Sequence, residues 1–150
     1  MPPTDLDAIA AHLRETLPKL RATLAAIDPQ ALRQVGPAGL SPIAMVAGLY
    51  RLESRLIRPA LTVMLDADMP RLPGFALAER AGKEGYGAYD LAKTLRSWGE
   101  FRTGSVVLVE SLDADALTRP GSIGGKLFTI GQLLEWWVAE EEAWMGRIGG

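Results

Sequence analysis

The chain has 150 residues and a nearly balanced charge, 16 basic against 18 acidic side chains, with no cysteine. That length suits one domain, spanning residues 1–150, with a sizeable core, and the lack of any basic face argues against nucleic acid as a partner. Without cysteine there are no disulfides, thiolate metal sites or cysteine nucleophile, which fits a reducing compartment.

The amino terminus, Met1-Pro-Pro-Thr-Asp-Leu-Asp7, has no basic region followed by an apolar core, so it does not read as a signal peptide. Thr4 with Asp7 resembles a capping box and opens a helix carrying Ile9, Leu13, Leu17, Leu20, Leu24 and Ile27 at helical spacing. Pro18 inside that run predicts a kink or break. Asp28 to Leu40, with two Pro and two Gly, reads as a connection. Ser41-Pro42 starts a second helix, Ser as N-cap and Pro at the first helical position. Its apolar face runs Met45, Leu49, Leu52, Leu56 towards Leu61 and Leu65, with a bend expected at Pro59. Arg51, Arg55 and Arg58, which share this helix with Glu53, read as a solvated face. The longest nearly uncharged stretch, Val35 to Tyr50, is too short and too broken to span a bilayer, so a soluble cytoplasmic protein with no membrane partner is expected.

From about Asp66 to Tyr89 the chain is rich in Gly, Pro and Tyr and reads as a connection, with Tyr86 and Tyr89 able to form a ligand lip. Asp90 caps a third helix carrying Leu91, Leu95, Trp98, Val106 and Val109; Ser105-Val-Val-Leu-Val109 has β-propensity in a helical context. Arg119 to Phe128 suits a loop or short hairpin. Its Gly121-Ser-Ile-Gly-Gly-Lys126 departs from a phosphate loop, with Pro120 where the first Gly belongs and Leu127 where Ser or Thr would hold Mg²⁺. Thr129 with Gln132 is a capping box for the last helix. The 66–89 connection is far longer than two neighbouring antiparallel helices need. It can run the length of a bundle and leave the second and third helices parallel, which gives an all-α, four-helix bundle of up-down-down-up type.

The last helix, Gln132 to Ile148, places Leu133, Trp137, Glu140 and Trp144 on one face by offsets of 4, 3 and 4. Glu140 is therefore paired inside the protein, with Arg51 or Arg55 as candidate partners, lines a cavity, or escapes to the edge of the bundle. A carboxylate site shared with Glu53 is a further alternative, and the other two acids of Glu140-Glu-Glu142 should face water. Trp136, Trp137 and Trp144 fit either core or interface packing or a pocket for an apolar or aromatic ligand. The single histidine, His12, has Ile9 three residues before it, so the Glu-x-x-His pattern of di-iron bundles is absent.

Two segments carry a resemblance: Ser41-Pro-Ile-Ala-Met-Val-Ala-Gly-Leu-Tyr-Arg-Leu-Glu53 and Leu133-Leu-Glu-Trp-Trp-Val-Ala-Glu-Glu-Glu-Ala-Trp144. Together with Leu72-Pro-Gly-Phe75 and the loop before Thr129, they make the chain similar to the DinB-like proteins of the DinB/YfiT superfamily over nearly its whole length. That resemblance implies a four-helix bundle with three metal-binding histidines, one on the second helix and a His-x-x-x-His pair on the fourth. The matching positions here are Gly48, Glu140 and Trp144. Glycine offers no ligand, an indole nitrogen only donates, and one carboxylate holds a divalent ion weakly. The expectation is a metal-free protein with no cofactor, in which the Trp144 indole occupies space opposite Gly48.

The function expected from these features is a homodimeric small-ligand-binding or interaction module, linked by the family name to stress. Gly48, Arg51, Trp137, Glu140 and Trp144 are the candidate ligand-binding residues, for a small apolar or aromatic ligand. With one His, no Cys and no Gly-x-Ser-x-Gly elbow, nucleophilic catalysis has no support. The rival reading, implied by the resemblance alone, is a metal-dependent transferase of thiols such as bacillithiol or mycothiol, whose chemistry needs a metal to ionise the thiol.

Overall fold

The structure is a computed structural model describing residues 4–149; Met1, Pro2 and Pro3, part of the amino-terminal reading above, lie outside the described residues. Four long helical segments form the bundle. Helix α1 is Leu6–Ala25; α2, Pro42–Leu52, continues through a π-helical turn, Glu53–Ile57, into α3, Arg58–Asp66. Short α4 (Leu77–Lys83) lies in the long connection, followed by α5 (Leu91–Glu110), the single turn α6 (Ala114–Leu117) and α7 (Ile130–Gly149). No helix among the described residues is long and apolar enough to cross a membrane.

Local chemistry sets the helix starts. The Ser41 hydroxyl accepts from Ala44 N–H at 3.1 Å, and the Asp90 carboxylate from Lys93 N–H at 2.8 Å. The Thr129–Gln132 box closes in both directions, at 3.0 and 3.1 Å. At α1, however, the cap is Asp5, whose carboxylate accepts from Ala8 N–H at 3.1 Å, while the Thr4 hydroxyl donates to Glu135 of α7 instead. A cap must sit one residue before the first helical φ/ψ, and Asp5 holds that place. Pro18 does not break α1, which runs on to Ala25. Pro59 acts upstream: the helix widens into the π turn just before it, and Arg58 N–H bonds back to Glu53 C=O.

Pairings across the bundle fix the directions. Gly131 faces Thr4 and Gly149 faces Thr23, so α1 and α7 run parallel. Gly99 of α5 faces Leu17, while the Arg102 side chain reaches the Leu13 carbonyl, so α5 runs against α1. Glu53 meets Trp98 and Arg102, and Arg58 meets Phe101 and Gly104, so the second helical segment runs with α5. The result is up-down-down-up. Around the bundle, α1 packs on α5 and α7, and α2 packs on the same two helices.

The long connection is more ordered than its composition suggested. It carries α4 and a two-residue strand β1 (Arg71–Leu72), which pairs parallel to β2 (Pro120–Ile123), with Leu72 opposite Ile123. Antiparallel β3 (Lys126–Thr129) completes a small sheet laid beside the helices. The hairpin turn is Gly124-Gly125, at φ 58° and 83°, the left-handed values that a two-residue turn of this kind demands.

Candidate functional site

A fully buried ion network occupies the middle of the bundle. Arg102 of α5 crosses the core and forks between Glu53 and Glu141. Its Nε and Nη2 donate to Glu53 Oε1 at 2.9 and 2.6 Å, Nη2 also pairs with Glu141 Oε2, and Nη1 donates to the Leu13 carbonyl at 2.9 Å. The remaining acceptor positions are filled. Trp98 Nε1 donates to Glu53 Oε1 at 2.8 Å and the Ser105 hydroxyl to Oε2 at 2.7 Å. The Thr16 hydroxyl lies 2.9 Å from Glu141 Oε1, and His12 Nε2 lies 3.2 Å from the same oxygen. The guanidinium also rests against two indoles, 5.3 Å from the Trp98 centroid and 5.2 Å from that of Trp137.

Burial pushes the Glu141 carboxyl up, but Arg102 and the hydrogen bonds from His12, Arg102 and Thr16 outweigh it and hold the group below the ordinary carboxylate value. Burial likewise works against the Arg102 charge, and the two glutamates overcome it, raising its pKa further. Such a network satisfies every demand that buried charge makes, which is why it can exist. It also leaves the two carboxylates committed. Glu53 and Glu141 face one arginine and a set of donors, so their oxygens are occupied as hydrogen-bond acceptors. Among the described residues no three of His, Cys, Asp and Glu are grouped so as to hold one.

Of the alternatives for Glu140 the structure takes the edge of the bundle, and the acid inside is Glu141, which was expected to face water. Glu140 is half-buried at the edge, whereas Glu141 is 0% exposed. At 3.6 residues per turn Glu141 falls within about 20° of Ile130, Leu134 and Ile148, while Glu140 lies about 80° or more from all three. Counting only Leu133, Trp137 and Trp144 hid that difference. Nor is the arginine partner Arg51 or Arg55. Arg51 Nε donates to the Tyr89 hydroxyl at 3.0 Å and Arg55 pairs with Glu84. The supposed solvated face is also only partly so: Glu53 is fully buried, and Arg58 is half-buried, donating to Phe101 C=O at 3.1 Å and Ser105 Oγ at 3.0 Å. Arg102, Ser105 and Thr16 were missed altogether. The available signal was one arginine on the apolar stripe of α5, four residues beyond Trp98.

Around Gly48 the surroundings are apolar. A Cβ added there would come within 2.6 Å of Leu77, so the side chain nearest Gly48 comes from α4. Trp144 is buried in the same apolar cluster as Leu77, Met45 and Leu49. Trp137 is fully buried, its Nε1 without a partner among the described residues. Tyr86, expected at a lip, is likewise fully buried, with its hydroxyl donating to Glu84 at 2.7 Å. Of the five candidate residues, Arg51 sits against Tyr50 and Tyr89, Trp137 backs the ion network, and Gly48 and Trp144 belong to the apolar core.

No protein-family model matches the sequence, and no curated protein matches it either. Among solved structures, YfiT from Bacillus subtilis shares the fold at a TM-score of 0.87 and 14% identity, over 99% of this chain and 86% of that one. That protein is described as a probable metal-dependent hydrolase with an unusual four-helix bundle topology. The likeness establishes the YfiT-type four-helix bundle for this chain.

Proposed function

We propose that this protein is a metal-independent member of the YfiT-type fold, a homodimeric module that binds a small ligand or a partner and does not run metal-assisted hydrolysis or thiol transfer. The observation that carries this reading is Leu77 seated over Gly48. A metal-ligand histidine on the second helix would need the space that Leu77 fills, and the other two matching positions supply one edge carboxylate and one indole. Both reactions require an open coordination position on a metal held by several protein ligands. The donor set here does not fit that requirement. The two buried acids share one guanidinium, Arg102, and take their remaining hydrogen bonds from neighbouring side chains of the bundle.

The test is calorimetric titration of Zn²⁺ and Ni²⁺ into chelator-stripped protein, followed by native mass spectrometry of protein purified without chelators. The expected result is a dimer mass without adduct and no stoichiometric heat. One metal per chain with a dissociation constant below about 1 μM would overturn the reading, since structural and catalytic sites bind at least that tightly.

A further inference from the structure

Beyond the closed end at Gly48, the seam between α2 and α7 opens again. Trp136 stands one helical turn before Glu140, and Leu56 stands two turns beyond Gly48. There the hairpin folds over the bundle and leaves a crevice of about 260 Å³. Buried Leu56, Ile123 and Leu133 form its back, and the half-buried rings of Phe75, Phe128 and Trp136 form its sides. Phe128 and Trp136 meet edge to face, 6.3 Å apart at 63°. Gly124 N–H donates to Leu72 C=O at 2.9 Å, and a Cβ on Gly124 would come within 3.4 Å of Gly74, so the segments just beyond β1 and β2 touch through glycine backbones.

The charge at this crevice is one-sided. Lys126 is the one charged residue lining it, its Nζ lies 5.4 Å from the Phe128 centroid, and among the described residues no carboxylate lies within 4.0 Å of it. An apolar slot walled by aromatic rings selects a flat apolar body, and an unpaired ammonium at its edge selects a negative group. The volume is below the range of drug-sized pockets, which excludes a nucleotide or a folded peptide. Resting on the binding-module reading above, the geometry points to this crevice as a site for a compact aromatic carboxylate: one ring seated among Phe75, Phe128 and Trp136, with its carboxylate paired to Lys126.

The probe is phenylacetate, followed by ¹H–¹⁵N spectra of the indole signals, with that of Trp136 assigned by Trp136→Phe. We expect a saturable shift of the Trp136 signal with a dissociation constant on the order of 1 mM, the range for so few atoms. Lys126→Gln, an exposed change that leaves the core alone, should weaken phenylacetate by about fivefold and leave neutral phenylacetamide unchanged. Equal binding of acid and amide, insensitive to Lys126→Gln, would overturn the assignment of the negative group. No saturable shift at about 20 mM, well above the range for such a ligand, would overturn the site itself. The titration is run with and without EDTA. Loss of binding in EDTA would instead overturn the metal-independent reading, so the two failures are told apart.

Discussion

The centre of the bundle and the seam at Gly48 are built from opposite materials. At the centre, α2, α5, α7 and α1 meet through Glu53, Arg102, Glu141 and Thr16, all at most a few percent exposed. At the seam, Leu77 covers Gly48, and Trp144 is buried in the same apolar cluster as Leu77. The contrast shows that a carboxylate inside a bundle is no evidence of a ligand site once its donors are counted. It also shows that a glycine inside a bundle helix can be closed over by a leucine from a connecting helix.

The largest expected effect breaks the polar centre. Arg102→Met strands two buried carboxylates and should destabilise the protein by about 3–5 kcal/mol in urea unfolding. Adding Glu53→Leu and Glu141→Leu should recover most of that loss, because buried ion networks compete poorly with apolar packing of the same volume. A triple variant as unstable as Arg102→Met would mean that the network contributes net stability beyond satisfying its own charges.

The seam should answer to volume instead. Gly48→Ala gains about 1 kcal/mol in helix propensity but overpacks against Leu77, at a cost of about 1–3 kcal/mol. Its net effect is mildly destabilising. In a Leu77→Ala background the same change should become stabilising by about 1 kcal/mol, a coupling that a double-mutant cycle reads directly. Additive effects would show that Leu77 does not cover Gly48.

The smallest effect separates the two neighbouring glutamates. The Glu141 carboxyl lies below its ordinary value of 4.5 in the folded protein. Its contribution is thus complete above about pH 4.5 and is lost as pH falls through the lower folded value. Glu141→Gln should flatten that acid limb in urea midpoints measured against pH. Glu140→Gln should leave it in place and shift stability by no more than about 0.5 kcal/mol, as surface substitutions do.

Much of the fold was legible in the sequence. Ser41, Asp90 and the Thr129–Gln132 pair start their helices because caps act over three residues, and the stripe of Met45, Leu49, Leu52 and Leu56 is buried as its spacing required. The parallel second and third helices followed from the length of the connection between them. The candidate site was far less legible. Helical spacing narrows the inward acid of α7 to one of two neighbours, and separating them needed Ile130, Leu134 and Ile148 at the ends of the stripe.

What the sequence determined by itself was therefore local: helical periods, caps, and a loop or short hairpin between Arg119 and Phe128. What only the tertiary structure decided was pairing across the bundle. Arg102 reaches Glu141 from a position 39 residues earlier and Glu53 from one 49 residues later, and Leu77 comes from a connecting helix to cover Gly48. The physical reason is range. A cap or an apolar stripe is settled by neighbours within a turn or two, whereas a buried charge can be neutralised by any element that packing brings within hydrogen-bond distance.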